Sequence, residues 1–164
     1  MATGVIVHTL PGGEGAGYSD FSTAAMRNIT DVQWQALEEA ARAASAHAYC
    51  PYSRFPVGAA VLTADGSIAV GCNVENASFG LTCCAERNAI FRAVADGAKS
   101  IVALVLYTPT AEAVTPCGAC RQVLAEFGRD AQVRCICDGP GGLDCIAHEL
   151  LPHGFTLAKP AQAP

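Results

Sequence analysis

CAERNAIFRAVADGAKSIVALVLYTPTAEAVTPCGACRQVLAEF, running from Cys84 to Phe127, is the stretch on which the fold turns. Its first part, Cys84 to Ala95, is dense in apolar residues at Ala89, Ile90, Phe91, Ala93 and Val94 and stops short of Gly97, so it predicts a helix closed by glycine. Ile101 to Tyr107 is an unbroken apolar run of strand length, which predicts a buried strand. Thr115 and Pro116 read as an N-cap and a first helical residue. Val123, Leu124 and Phe127 then supply an apolar face before Gly128, predicting a helix over 116–127.

Working outward, Val133 to Cys137 predicts another strand, Gly139-Pro140-Gly141-Gly142 a loop, and Ile146 to Leu151 a last helical turn closed by Pro152. Upstream, the apolar runs Val57–Thr63 and Ile68–Gly71 flank Ala64-Asp65-Gly66-Ser67, a hairpin signal. Thr30 and Gln33 have capping-box spacing, and Trp34, Leu37, Ala41, Ala44 and Ala48 follow at helical intervals, predicting a helix over 31–48 before Pro51 and Pro56. Helix, hairpin, helix, strand, helix, strand is the order of an α/β protein with a mixed sheet and helices packed on it. Residues 1–28, rich in glycine, read as a flexible N-terminal tail, 29–158 as the one domain and 159–164 as a C-terminal tail.

Half of the 164 residues are hydrophobic and 15% are charged, which excludes a disordered chain. Ten basic against fifteen acidic residues leave a charge of -5, with no basic run to follow a phosphate backbone, so no nucleic-acid polymer is expected as a partner. No apolar stretch is long enough for a membrane span, and the first basic residue is Arg27, so neither a membrane partner nor a signal peptide is expected; the location expected is cytoplasmic. Reduced thiols are the rule there, so the nine cysteines point to metal binding before disulfides.

Cys84-Ala85-Glu86 and, later, Pro116-Cys117-Gly118-Ala119-Cys120 form the pattern of a zinc deaminase site: a first ligand, a glutamate two residues on that stays off the metal, and a Pro-Cys-x-x-Cys pair. Cys117 and Cys120, three apart at a helix start, turn both sulfurs to one face, and Cys84 opens the other helix. Helix N-termini favour thiolate over thiol. Three protein ligands to zinc leave the fourth position to water as nucleophile, which separates a catalytic site from a structural one. Glu86 is then the catalytic proton shuttle, from water to the pyrimidine N3 and the departing amine. Three thiolates exceed the charge of Zn²⁺, and either Arg87 or Arg121 is placed to offset it, Arg87 as the first choice for hydrogen bonding the ligand sulfurs.

Five motifs in order resemble the small homotetrameric cytidine deaminases: Pro51-Tyr52-Ser53-Arg54-Phe55-Pro56-Val57-Gly58-Ala59-Ala60, Gly71-Cys72-Asn73-Val74-Glu75-Asn76-Ala77-Ser78, Cys84-Ala85-Glu86-Arg87, Pro116-Cys117-Gly118-Ala119-Cys120-Arg121-Gln122 and Leu150-Leu151-Pro152. The resemblance implies a three-layer α/β/α fold around a five-stranded mixed sheet, one Zn²⁺ per subunit, and a small nucleoside as substrate. Cytidine and deoxycytidine would be hydrolysed to uridine and deoxyuridine plus ammonia, in pyrimidine salvage. It also implies that Asn73 and Glu75 bind the ribose 3′-hydroxyl, that Phe55 packs on the pyrimidine, that the backbone of Ala85 faces the base carbonyl, and that Phe155 reaches a neighbouring subunit's substrate in a homotetramer.

Taken without the resemblance, the 73–76 stretch is a polar exit loop, and Phe55 and Phe155 are core residues. Phe79 stands where many relatives carry Tyr, and Cys83, beside Cys84, is the one alternative ligand, although only Cys84 keeps the two-residue step to Glu86. Cys50, Cys72, Cys135, Cys137 and Cys145 read as small core or near-core residues. Rival functions are deamination of another aminopyrimidine nucleoside such as blasticidin S, editing of a polynucleotide, and a non-enzymatic zinc or redox module.

Overall fold

Thr30 caps the first helix of the computed structural model, which describes residues 28–157. The tails expected at 1–28 and 159–164 lie outside the described residues except for Asn28. Thr30 and Gln33 exchange both bonds of the capping box and start α1 (Asp31–Ser45). This helix ends three residues earlier than its apolar spacing predicts. Ala46 C-caps it, and the chain then unwinds so that Tyr49 can bridge to Val74.

The hairpin follows as β1 (Gly58–Thr63) and β2 (Ile68–Cys72), then α2 (Ala85–Ala95), β3 (Ile101–Tyr107), α3 (Gly118–Gly128), β4 (Gln132–Ile136) and β5 (Leu143–Ile146), with short 3₁₀ turns at Phe79–Leu81 and Ala147–Leu150. The sheet order is β2-β1-β3-β4-β5; β3 and β4 run parallel and the other neighbours antiparallel, so the sheet is mixed and five-stranded as expected.

Alternation along the central strands divides the core between the two faces. Ala60, Leu62, Ala103, Val105 and Tyr107 pack with Trp34, Leu37 and Ala41 of α1. Ala59, Val61, Leu104, Leu106, Val133 and Cys135 pack with Ala85, Ala89 and Ile90 of α2 and Leu124 of α3. One helix on one face and two on the other make three layers. Burial on both faces explains why β3 is a continuous apolar run.

Gly71 sets the seat of α2. A Cβ there would run into the backbone of Ala85, Asn88 and Ala89, so only glycine lets helix and strand approach this closely. Asn88 adds a bond from its side-chain amide to the Cys72 carbonyl (2.8 Å). The start of α2 is thereby fixed against the end of β2.

Candidate metal centre and active site

Cys84 is the N-cap of α2 and Cys117 the N-cap of α3. Both have extended backbone, and neither sulfur is spent on capping its own helix. α3 therefore begins two residues later than the Thr115-Pro116 signal predicts. Its cause is visible: the Thr115 hydroxyl and Pro116 carbonyl are taken by the Arg121 guanidinium (3.0 and 2.7 Å) rather than by a helix turn. Cys120 lies one turn into α3 and is fully buried.

The three sulfurs lie within 4.8 Å of one another, with Cys84 and Cys117 3.8 Å apart and Cys117 and Cys120 3.5 Å apart. Tetrahedral zinc with Zn–S of about 2.3 Å needs sulfurs about 3.8 Å from each other, so the cluster has the spacing such an ion demands. Cys83 is not among these residues; its backbone N–H and carbonyl are both bonded to Val74, and burial raises its thiol pKa. Cys84 is lowered to about 5, first by a hydrogen bond with Cys120 and also by the Arg87 guanidinium. Cys120, the donor in that bond, is pushed up.

Glu86 is 4% exposed in the first turn of α2. Burial raises its carboxyl above the ordinary range; the charge of Cys84 adds to the rise, and a hydrogen bond with Cys120 opposes it. A buried carboxyl beside three thiols is suited to holding and releasing a proton. Arg87 places Nη2 3.4 Å from the Cys84 sulfur and 3.2 Å from the Thr82 carbonyl. Arg121 makes no bond to sulfur: it holds Pro116, Thr115 and, at 3.1 Å, the Leu150 carbonyl. Of the two arginines considered, the structure puts Arg87 on the sulfurs.

Two of the remaining predicted residues, Asn73 and Glu75, bond the loop that carries a third, Phe55. Asn73 is buried, its Oδ1 accepting from Val57 N–H (2.8 Å) and its Nδ2 donating to the Phe55 carbonyl (2.9 Å). Glu75 accepts from the N–H groups of Tyr52 (2.8 Å) and Ser53 (3.3 Å), and its carboxyl is lowered, first by the Ser53 side chain. Both side chains thus hold the loop that carries Phe55, a structural task not evident from the sequence. The loop turns sharply at Arg54, whose φ of 56° is unusual for a residue with a side chain. Phe55 is 37% exposed and Phe155 68% exposed, so neither is the core residue that its plain reading makes it. Ala85 is fully buried at the first position of α2. Phe79, also exposed, meets the Tyr52 ring edge-on at 5.6 Å. The Phe155 carbonyl accepts from Gln122 Nε2 at 2.7 Å.

All nine cysteines are free thiols; Cys135 and Cys137 are buried, and Cys50, Cys72 and Cys145 are partly so. No helix among the described residues is long and apolar enough to cross a membrane.

Fold and site together define a three-layer α/β protein in which three thiols of metal-binding spacing face a buried carboxylate. The family model described as cytidine and deoxycytidylate deaminase zinc-binding region matches residues 32–137. A cytidine deaminase of Halalkalibacterium halodurans is 50% identical over 111 residues, covering 66% of this chain and 83% of that protein. One of Sporosarcina psychrophila is 47% identical over 110 residues, covering 66% and 81%. The crystal structure of cytidine deaminase from Burkholderia pseudomallei superposes with a TM-score of 0.71 at 46% identity, covering 74% of this chain and 98% of that one. The chain belongs to the cytidine deaminase family, a family of enzymes with a zinc-binding region.

Proposed function

We propose that the chain hydrolyses cytidine and deoxycytidine to uridine and deoxyuridine plus ammonia, as a cytoplasmic enzyme of pyrimidine salvage whose domain spans 29–158. Water supplies the oxygen and the exocyclic amine leaves. The observation that carries this reading is the Cys84-Cys117-Cys120 cluster at zinc spacing with the buried Glu86 against it.

Cys84, Cys117 and Cys120 would hold one zinc per subunit, and zinc, when bound, supplies the Lewis acidity that makes water a nucleophile near neutral pH. Glu86 takes one proton from the attacking water and delivers it to the pyrimidine N3, then takes the second proton from the same oxygen and passes it to the departing amine, so that it ends in the state in which it began. Arg87 offsets the negative charge of the thiolates through its bond to Cys84. By the family resemblance, Asn73 and Glu75 receive the ribose 3′-hydroxyl, Phe55 packs on the base and the backbone of Ala85 faces its carbonyl. Asn73 Oδ1 and Nδ2 each make one bond, which leaves an amide hydrogen and a lone pair for a ligand. The reading extends to a homotetramer in which Phe155 meets a neighbour's substrate, supported by the exposure of its ring on a segment tethered by Gln122.

The test is metal analysis of the purified protein with an ultraviolet assay on cytidine, deoxycytidine and free cytosine. One zinc per chain, absorbance loss with both nucleosides and inactivation by a strong chelator are expected. Undiminished turnover by metal-free protein would sink the proposal.

A further inference from the structure

Cys117 is the exposed residue of the three, and its sulfur is hydrogen-bonded to the other two sulfurs of the cluster. Its side chain caps nothing, and the residue before it is Pro116, which has no N–H to bond. Arg121 supplies the missing restraint from both directions. Its backbone N–H bonds the Cys117 carbonyl at 2.9 Å, and its guanidinium donates to the Pro116 carbonyl through Nε (2.7 Å) and to the Thr115 hydroxyl through Nη2 (3.0 Å). The third arm, Nη1, reaches the Leu150 carbonyl at the end of the Ala147–Leu150 turn (3.1 Å). One planar fork thus ties residues 115 and 116 to the C-terminal turn, while the backbone N–H of the same residue ties Cys117 into α3.

We propose that Arg121 is a positioning residue for the metal: by locking the Thr115–Cys117 loop against the C-terminal turn, it sets zinc affinity without touching a sulfur. The inference rests on the metal reading above. Arginine is required because three acceptors in different directions are met by one rigid plane, whereas a lysine ammonium on a flexible stem cannot span them. Partners that orient ligands from outside the coordination sphere typically change metal affinity by about 10–100-fold when removed.

The experiment titrates zinc into metal-free protein against a chromogenic chelator for wild type, Arg121→Ala, Arg121→Lys, Thr115→Val and the control Arg92→Ala, which removes only an exposed ion pair with Asp96. Cobalt(II) substitution reports the thiolates through their charge-transfer band. Zinc affinity should fall by about 10–100-fold in Arg121→Ala, with a weakened cobalt band, and less in Arg121→Lys and Thr115→Val. Arg92→Ala should match wild type. Should Arg121→Ala fail to fold, Arg121→Lys carries the same comparison. Tight zinc binding by wild type and by the foldable Arg121 variant alike, within about twofold, overturns the inference alone. Wild type that takes up no zinc overturns the metal reading, and the inference with it.

Discussion

Glu86→Gln keeps the volume of the buried side chain and removes only its capacity to carry a proton. We expect kcat to fall by at least ~10²-fold while zinc content stays at the wild-type level, measured by steady-state kinetics and metal analysis on one preparation. An active Glu86→Gln enzyme would leave the proton transfers without a carrier. Asn73→Ala should act twice: it strips bonds from the partly buried Val57 N–H and Phe55 carbonyl, costing about 1–3 kcal/mol in all, and it lowers kcat/KM for cytidine. Thermal denaturation reads the first effect and kinetics the second, with zinc content unchanged. Glu75→Ala should also lower kcat/KM, and kcat/KM unchanged in both variants would return the loop to a purely structural role. The three cysteines and Glu86 were legible because short-range spacing at helix starts is written in the chain. The work of Arg121 was not, because its partners at Leu150 and Thr115 converge only through the tertiary fold.

At the scale of elements, α2 depends on Gly71 more than on its own apolar pattern. Gly71→Ala would force a methyl into the backbone of α2 at Ala85 and Asn88, shifting the turn that carries Cys84 and Glu86. Overpacking of this kind costs about 1–3 kcal/mol, and here a weakened zinc affinity should accompany the lower melting temperature. A variant with wild-type zinc affinity would show that α2 can move without disturbing the cluster. Four strands and three helices could be read from periodicity, since burial on one or two faces leaves a repeat of characteristic length. The fifth strand, Leu143–Ile146, came only with the family resemblance. It is a short edge strand directly after Gly141-Gly142, its Asp144 is turned to Arg134 (2.9 Å), and it lacks the apolar run by which the others were read.

For the molecule as a whole, the proposed assembly places Phe155 and Glu86 of one site on different chains. Mixing Phe155→Ala with Glu86→Gln subunits after dissociation and reassociation should give hybrids more active than either parent, because some sites then regain both groups. A fully active monomer would sink the idea. Family and fold were visible in the sequence because five motifs occur in order; assembly is less so, since an exposed Phe155 and a buried one are spelled alike until the C-terminal segment is seen.

The positions of the three thiols carry one more consequence. Cys84 follows the hairpin that supplies β1 and β2, whereas Cys117 and Cys120 precede β4 and β5, and the turn at Asp96–Ser100 lies between them, with Gly97 at a φ of 98°. A chain cut at that turn would leave one thiol of the cluster on the first fragment and two on the second, to be reunited by the pairing of β1 with β3 and by the packing of α1 and α2 across the cut. Neither piece alone could offer the three sulfurs of the cluster. Zinc retention by the mixture, and by neither fragment separately, would therefore make the metal a reporter of fragment complementation, with the two halves of the sheet as the complementing parts.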